Sequence, residues 1–267
     1  MIYDAHCHIF PSKIAQKATD SIGRFYDIPM HASGSPEALL TAMDAAGVGM
    51  ALVCSTATRA EQVSAINHFI SEAQDASDGR FWGLGTLHQD LTDEEMADEI
   101  DAIASLGLHG VKLHPDFQKM PIDLARMMPV YEELAKRSLP VLFHIGDDRY
   151  DFSAPERLAA VCEKVPSLHA IAAHLGGYRT WERASLFIGH KNVIFDCSSS
   201  MEMLTDEQIP RQFALLGPER VLFGSDFPMW RPGDVLKKFL SLGFDRKTAD
   251  MVLCGNFQKY LLNGDWD

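Results

Sequence analysis

Two histidines one residue apart, His6 and His8, lie in an apolar segment at the start of the chain. Side chains at positions i and i+2 of a β-strand project from the same face, so a strand here directs Asp4, His6 and His8 to one side. Two imidazoles on one face can bind a single metal ion. A short His-x-His pair also arises by chance, so its meaning depends on the polar residues that the fold brings beside it.

Further polar residues end apolar segments later in the chain: Lys112, His114, His144, His174, Asp196 and Asp226. Any one of them alone is explained by an ordinary hydrogen bond, because buried polar groups are nearly always paired. Together, imidazoles and carboxylates form a ligand set for Zn²⁺, Mn²⁺ or Fe²⁺. Three or four protein ligands plus an open position are typical of a catalytic metal site.

Eight short apolar segments alternate with helical ones, which favours parallel strands joined by right-handed crossovers. Helix signals separate them, such as Ser35 followed by Pro36 with a stop at Gly47, and Thr92 followed by Glu95 as a capping box. No glycine-rich phosphate turn follows the first segment, which argues against a doubly wound open sheet. We therefore predict a single-domain (β/α)₈ TIM barrel over residues 1–267. The strand segments are 1–9, 50–55, 81–88, 109–115, 139–146, 169–177, 193–198 and 220–228.

The polar residues named above follow the predicted strands, and the carboxyl ends of the strands are where TIM barrels carry their active sites. The segment from Phe10 to Ser35 is long and mixed in composition. We predict a long loop insertion after strand one, either as a lid over the site or as a plain surface excursion.

Composition excludes several classes of protein. Hydrophobic residues make up 46% and charged residues 23% of the 267, which is ordinary for a globular domain and argues against disorder. The net charge of −13 would repel a phosphate backbone, so nucleic acid is a poor substrate. Five scattered cysteines without a Cys-x-x-Cys pair indicate a reducing compartment. We found no signal peptide or membrane segment and expect a cytoplasmic protein without a membrane partner.

The chain resembles the amidohydrolase superfamily, specifically the amidohydrolase-related branch that includes aminocarboxymuconate-semialdehyde decarboxylase. The motifs that carry the resemblance extend over nearly the whole chain and are specific at the level of the superfamily. They are Asp4-Ala5-His6-Cys7-His8, Gly110-Val111-Lys112-Leu113-His114-Pro115, His144-Ile145-Gly146, Ala173-His174-Leu175-Gly176-Gly177, Gly224-Ser225-Asp226-Phe227-Pro228 and Gly255-Asn256-Phe257.

The resemblance implies that His6, His8, His144 and Asp226 hold a divalent metal ion, with zinc expected and manganese or iron as alternatives. It also implies that His174 is the acid/base residue beside the metal. Asp226 would then be both a ligand and a catalytic residue that accepts a proton from water. It further implies a homodimer that acts on a small-molecule substrate.

Lys112 leaves the number of metals open. In some superfamily members a lysine at this strand end is carbamylated and bridges two metals, but in the branch that this chain resembles the same motif accompanies one. We favour one metal, with Lys112 as a charged contact and His114 as a substrate or hydrogen-bonding residue. Asp4 either supports the metal ligands or forms a salt bridge at the barrel floor.

Substrate contacts are predicted only from position after the strands, and an arginine among them would suit a carboxylate. These candidates are Arg24, Tyr26, Arg149, Tyr178, Trp181 and Trp230.

The leading hypothesis is a metal-dependent hydrolase in which metal-activated water attacks a small-molecule amide, ester or lactone. The second is a non-oxidative decarboxylase of a small unsaturated or aromatic acid with the same ligands. The third is a catalytically idle metal-binding barrel, against which the retention of His174 beside a full ligand set counts.

Overall fold

Parallel strands form the centre of the molecule. The structure, a computed structural model, describes residues 1–266. Within these residues the strands are β1 (Ile2–His8), β2 (Val48–Cys54), β3 (Phe81–Gly83), β4 (Gly85–Thr86), β5 (Val111–Leu113), β6 (Val141–Phe143), β7 (Ala170–Ala172), β8 (Val193–Asp196) and β9 (Val221–Leu222). Only Leu84 separates β3 from β4, and its N–H donates to the Val53 carbonyl, so these two pieces fill one position of the barrel. The predicted eight positions are therefore confirmed.

Hydrogen bonds close the strands into a barrel. The pairing order runs β1-β2-β3 and then β4 through β9. The last position returns to the first, since Ala5 N–H donates to the Phe223 carbonyl and Asp226 N–H donates to the His6 carbonyl, each at 2.8 Å. The (β/α)₈ barrel is thus confirmed, and its closure brings the residues after β9 beside the end of β1.

Helices connect the strands and surround the barrel: α1 (Ser12–Tyr26), α2 (Pro36–Ala46), α3 (Val63–Asp75), α4 (Asp93–Ser105), α5 (Pro115–Gln118), α6 (Met128–Lys136), α7 (Pro155–Lys164), α8 (Ala173–Gly176), α9 (Ser200–Met203), α10 (Gln208–Leu216), α11 (Pro232–Ser241) and α12 (Arg246–Asp250). The predicted caps are present: Ser35 caps α2, and Thr92 and Glu95 form the capping box of α4. Short 3₁₀ and π turns supplement these helices. Among residues 1–266, none of the helices is both long and apolar enough to cross a bilayer.

Two apolar layers hold the barrel together. One face of each strand packs against the helices, through residues such as Val53 and Val141. The other face fills the barrel with Leu52, Leu142 and Ile171, among others, together with Phe257 from the C-terminal segment. Phe257 packs against Tyr3 near the start of β1, with the rings tilted and 5.0 Å between their centroids. The amino-terminal end of the barrel is therefore closed by apolar packing, and polar residues collect at the other end.

The insertion after β1 differs from the predicted loop, because much of it is the helix α1. Its buried stripe consists of Ala15, Thr19, Gly23 and Tyr26. These positions are four, four and three residues apart, as helical packing requires, but three of the four side chains are small or absent. The stripe therefore gave little hydrophobic signal in the sequence.

A β-bulge in β1 corrects the predicted shared face of Asp4, His6 and His8. Opposite β2, Asp4 pairs with Ala51 and Cys7 with Val53, so β1 holds one extra residue between these two pairs. Ala51 and Val53 belong to the layer that faces the helices, which assigns Asp4 to that side as well. The bulge lets His6 and His8 share the opposite side without Asp4.

Asp4 stabilises the bulge through two hydrogen bonds from backbone N–H groups. Its Oδ1 accepts the N–H of Ser225 at 2.9 Å and the N–H of His6 at 3.2 Å. Burial is the main cause that raises the pKa of Asp4 to about 6. Among the described residues it forms no salt bridge, so of the two predicted roles the structure favours support of the strand that carries the histidines.

Candidate active site at the carboxyl ends of the strands

Three of the predicted metal ligands meet where β1 lies beside the residues after β9. His6 Nε2 is 3.2 Å from His8 Nε2. Asp226 Oδ1 lies 3.7 Å from the His6 atom and 3.4 Å from the His8 atom. Barrel closure sets this geometry, because Asp226 lies in the segment after β9 and its backbone N–H donates to the His6 carbonyl.

Electrostatics favour a cation in this cluster. Burial and the nearby Lys112 lower the pKa of His6 to about 4, so its imidazole is neutral. Burial opposes ionisation of Asp226, but the surrounding histidines hold its pKa well below the usual value. Burial also opposes a charge on His8, yet Cys54 and Asp226 together raise the pKa of His8 to about 9. A positive charge at the His8 side of the cluster is therefore stabilised by Cys54 and the Asp226 carboxylate.

Asp196, at the end of β8, connects the two halves of the site. Its Oδ2 accepts the Nδ1–H of His6 at 3.0 Å. Its Oδ1 accepts the backbone N–H of His174 at 3.2 Å and that of Ser198 at 3.0 Å, as well as the Ser198 hydroxyl. Burial opposes its charge, but His6 and the hydrogen bonds lower the pKa of Asp196 to about 2. Because His6 donates from Nδ1, its Nε2 lone pair faces the cluster.

His174 and His144 form the second half of the site. His174 has a left-handed backbone with φ of 60°, and its Nδ1–H donates to the Ser198 carbonyl at 3.0 Å. Its Nε2 therefore accepts from His144 Nδ1 at 2.9 Å. His144 Nε2 is buried and has no hydrogen-bond partner in residues 1–266, with Asp116 Oδ2 at 3.6 Å. Burial is the main cause that lowers the pKa of His174, which leaves this ring neutral.

Lys112 is completely buried, and its Nζ lies 3.1 Å from His6 Nε2. Burial is the largest cause that lowers the pKa of this lysine. The position fits the predicted charged contact at the edge of the cluster. The single metal ion stays a prediction.

A narrow cavity joins the two halves and is roofed by α1 and by the loop after β9. It is lined by His8, Ile22, Tyr26, Met30, His114, Phe117, His144, His174, Asp226, Pro228 and Met229. A larger cavity of about 690 Å³ lies between α1 and α3 and shares His8, Ile22 and Phe117 with it. The predicted lid role of the insertion therefore agrees with the position of α1, and the outer cavity adjoins the inner one.

Tyr26 and His114, both predicted as substrate residues, line this cavity, and two further candidates lie close to it. Trp230 Nε1–H donates to Ser199 Oγ at 3.0 Å, and that hydroxyl donates to Asp226 Oδ2 at 2.6 Å. Trp230 is thus connected to Asp226 through the Ser199 hydroxyl. Tyr178 is buried beside the rings of His144 and His174, and its hydroxyl has no hydrogen-bond partner among the described residues.

Three other candidates have no direct place in the cavity. Arg24 is exposed and donates to Ser21 Oγ. Trp181 Nε1–H donates to the His174 carbonyl and so supports the turn that carries this histidine. Arg149 donates to Asp147 and to the carbonyl of Phe25, which ties the last turn of α1 to the loop after β6.

Sequence reasoning missed several residues of the site. Cys54 Sγ lies 3.6 Å from His8 Nδ1, and no motif in the sequence places this cysteine at the site. Asp196 was noted as a strand end but given no role. Ser198 and Ser199 follow it after Cys197, and a run of serines after a buried strand is the one available signal for their hydrogen bonds.

The chain belongs to the amidohydrolase family, because residues 3–258 match the family model described as amidohydrolase. It is therefore an enzyme of that family, and the predicted family is confirmed. A relative named 2-amino-3-carboxymuconate-6-semialdehyde decarboxylase, from Dictyostelium discoideum, is 22% identical over 240 residues. That match covers 73% of this chain and 65% of the relative, so the chain spans less than two thirds of that protein.

Solved structures with the same fold extend over the whole chain. An uncharacterized TIM-barrel protein from Bordetella bronchiseptica has a TM-score of 0.82 and 21% identity, and the match covers 100% of this chain and 99% of that one. A dihydroxybenzoic acid decarboxylase from Polaromonas, solved with bound manganese and the inhibitor 2-nitroresorcinol, has a TM-score of 0.74 and 13% identity. There the match covers 98% of this chain and 97% of the other.

Proposed function

We propose that this protein is a metal-dependent decarboxylase of a small unsaturated or aromatic carboxylic acid. The proposal reverses the order of the two hypotheses drawn from the sequence, in which hydrolysis came first. Two of the similar proteins above are named as decarboxylases, one of an unsaturated and one of an aromatic acid.

The observation that carries the proposal is the closed and largely apolar cavity over the predicted ligands. Ile22, Met30, Phe117 and Met229 line it together with the polar groups of the site. Hydrolysis needs a water molecule as reactant, whereas decarboxylation needs none. As neutral CO₂ leaves, the negative charge of the carboxylate moves onto the remaining carbon, and a site that excludes water favours this shift of charge.

The residues present fit a divalent metal. The neutral Nε2 of His6, the Nε2 of His8 and the Oδ1 of Asp226 lie within 3.7 Å of one another, and the buried Nε2 of His144 has no partner within residues 1–266. His6, His8 and Asp226 would hold the ion, with manganese or zinc as candidates, and the predicted fourth ligand, His144, lines the same cavity with its Nε2 3.6 Å from Asp116 Oδ2. When bound, the ion supplies a Lewis acid that orients the substrate carboxylate and withdraws electron density from the substrate.

The chain's own residues supply orientation and the proton. In the reaction the bond between the carboxyl carbon and its neighbour breaks, CO₂ leaves, and the electron pair on the remaining carbon takes up one proton. His174 can hold or release this proton at Nε2 once the hydrogen bond from His144 Nδ1 opens, because its own Nδ1–H is already bonded to the Ser198 carbonyl. Asp196 orients His6 through its ring and His174 through its backbone. Helix α1, with Tyr26 at its end, covers the cavity and excludes water.

The test is turnover of the protein reconstituted with manganese or zinc. A panel of unsaturated and aromatic acids labelled with ¹³C in the carboxyl group is incubated with it, and ¹³CO₂ is measured by mass spectrometry. Esters, amides and lactones are assayed in parallel in H₂¹⁸O, because hydrolysis places ¹⁸O in the product.

We expect ¹³CO₂ from at least one acid and no ¹⁸O incorporation beyond the blank. The matched control is His174→Asn, which should retain the metal and lose turnover. Incorporation of ¹⁸O without release of CO₂ would establish hydrolysis and reject the proposal.

A further inference from the structure

His114 has a fixed tautomer, and its neighbours determine it. The ring is stacked between Phe117, at 3.7 Å between centroids, and His144, at 4.0 Å, and is nearly parallel to both. Its Nδ1 accepts the backbone N–H of Phe117 at 3.3 Å, as the cap of α5. A nitrogen that accepts a hydrogen bond carries no proton, so the proton of this ring is on Nε2.

That proton is directed at Tyr26. His114 Nε2 lies 2.8 Å from the Tyr26 hydroxyl oxygen, which therefore accepts the hydrogen bond. A phenol that accepts from one partner still has its own proton to donate. Within residues 1–266, the Tyr26 hydroxyl has no other hydrogen-bond partner, so its donor is unused in the substrate-free chain.

The unused donor belongs to the cavity of the proposed active site. Tyr26 is the last residue of α1, is 4% exposed, and lines the cavity with His8, His144 and Asp226. Its ring packs against Tyr178 at 5.3 Å between centroids, which fixes its direction. None of the described residues accepts this proton, so an oxygen of the ligand can serve as its acceptor.

We infer that Tyr26 donates a hydrogen bond to an oxygen substituent of the substrate, and that it selects acids with a hydroxyl or oxo group in addition to the carboxylate. This inference rests on the proposed function for the identity of the ligand. One buried hydrogen bond of this kind changes affinity by about tenfold. Tyr26 is thus a specificity residue contributed by the lid helix.

The test measures binding to the manganese-reconstituted protein by titration calorimetry. The probes are benzoate and its 2-, 3- and 4-hydroxy derivatives, compared in the native protein and in Tyr26→Phe. We expect at least one hydroxybenzoate to bind more tightly than benzoate to the native protein. In Tyr26→Phe that acid should lose about tenfold in affinity, while benzoate changes by less than about twofold.

Tyr3→Phe is the matched control, since it removes a buried phenol at the opposite end of the barrel. A second variant with 3,5-difluorotyrosine at position 26 keeps the ring and makes the hydroxyl a stronger donor. It should bind the preferred hydroxybenzoate more tightly if Tyr26 donates, and more weakly if Tyr26 accepts.

Equal losses for benzoate and the hydroxybenzoates in Tyr26→Phe would show a merely structural role and overturn the inference. So would an unchanged preference, or a native protein that binds none of the four acids. If Tyr26→Phe abolishes a preference for a hydroxybenzoate but no acid releases CO₂, only the decarboxylase proposal is rejected. If CO₂ is released but Tyr26→Phe weakens binding of benzoate and the hydroxybenzoates equally, only the role of Tyr26 is rejected.

Discussion

His6 and Asp196 are joined across the barrel by a hydrogen bond of 3.0 Å, from Nδ1 of the histidine to Oδ2 of the aspartate. The two residues are 190 positions apart in the sequence, and only barrel closure makes them neighbours. The bond fixes the tautomer of a predicted metal ligand and leaves its Nε2 directed at His8 and Asp226. Asp196 is therefore the residue on which the orientation of the cluster depends.

Asp196→Asn should lower metal affinity by about 10- to 100-fold, because an amide holds the imidazole less firmly and can favour the wrong tautomer. The measurement is competition of Zn²⁺ or Mn²⁺ against a chromophoric chelator. Asp250→Asn, a surface change on α12, serves as the control. If the metal affinity of Asp196→Asn equals that of the native protein, Asp196 does not orient the metal ligands.

Metal should stabilise the native protein, because an ion that binds only the folded chain adds about 2.7 kcal/mol at a concentration of 100 Kd. Asp226→Asn should abolish most of this gain, since the anionic ligand of the cluster is lost. Thermal denaturation with and without a chelator, together with metal content by mass spectrometry, checks both statements. If metal raises the denaturation midpoint of Asp226→Asn as much as that of the native protein, the metal binds elsewhere.

Glu202, on α9, should make the protein less stable at high pH. Burial, followed by the charges of Asp226 and Asp234, raises the pKa of Glu202 from 4.5 to about 7. A folded-state pKa above the unfolded value gives a stability that is complete below pH 4.5 and is lost as the pH rises through about 7. The loss at pH 8 amounts to at most about 3 kcal/mol.

Glu202→Gln should cancel this loss, because a neutral amide replaces the protonated acid. We expect the variant to exceed the native protein in its free energy of unfolding at pH 8 and to equal it near pH 4, as measured in urea. The opposite order at pH 8 would mean that the ionised carboxylate is stabilised by the fold.

Arg149 should control the mobility of the lid helix. Its guanidinium donates to Asp147 and to the Phe25 carbonyl, and it stacks over the Phe25 ring at 4.7 Å. Arg149→Lys keeps a cation beside Asp147 but cannot form the planar, two-sided contact. Amide hydrogen exchange in residues 22–30 should become about tenfold faster. Arg183→Lys is the control, because Arg183 forms an exposed ion pair with Glu156. Equal exchange rates in the native protein and in Arg149→Lys would show that Arg149 does not hold α1 in place.

The sequence determined the fold and the end of it that carries chemistry. Alternating apolar segments with capped helices between them allow few arrangements other than a parallel barrel, and strand ends in such a barrel converge. His6, His8 and Asp226 were therefore predictable as neighbours before any coordinates. The family resemblance added their assignment as metal ligands.

Only the tertiary structure decided the details that depend on closure and on one extra residue. The bulge in β1 moves Asp4 to the other side of the strand, and no residue type in the sequence marks it. The stripe of α1 is made of small residues, so its burial appears only once the barrel mouth lies beneath it. The bond between Asp196 and His6 joins strands far apart in the chain, and local patterns carry no information about such a pair.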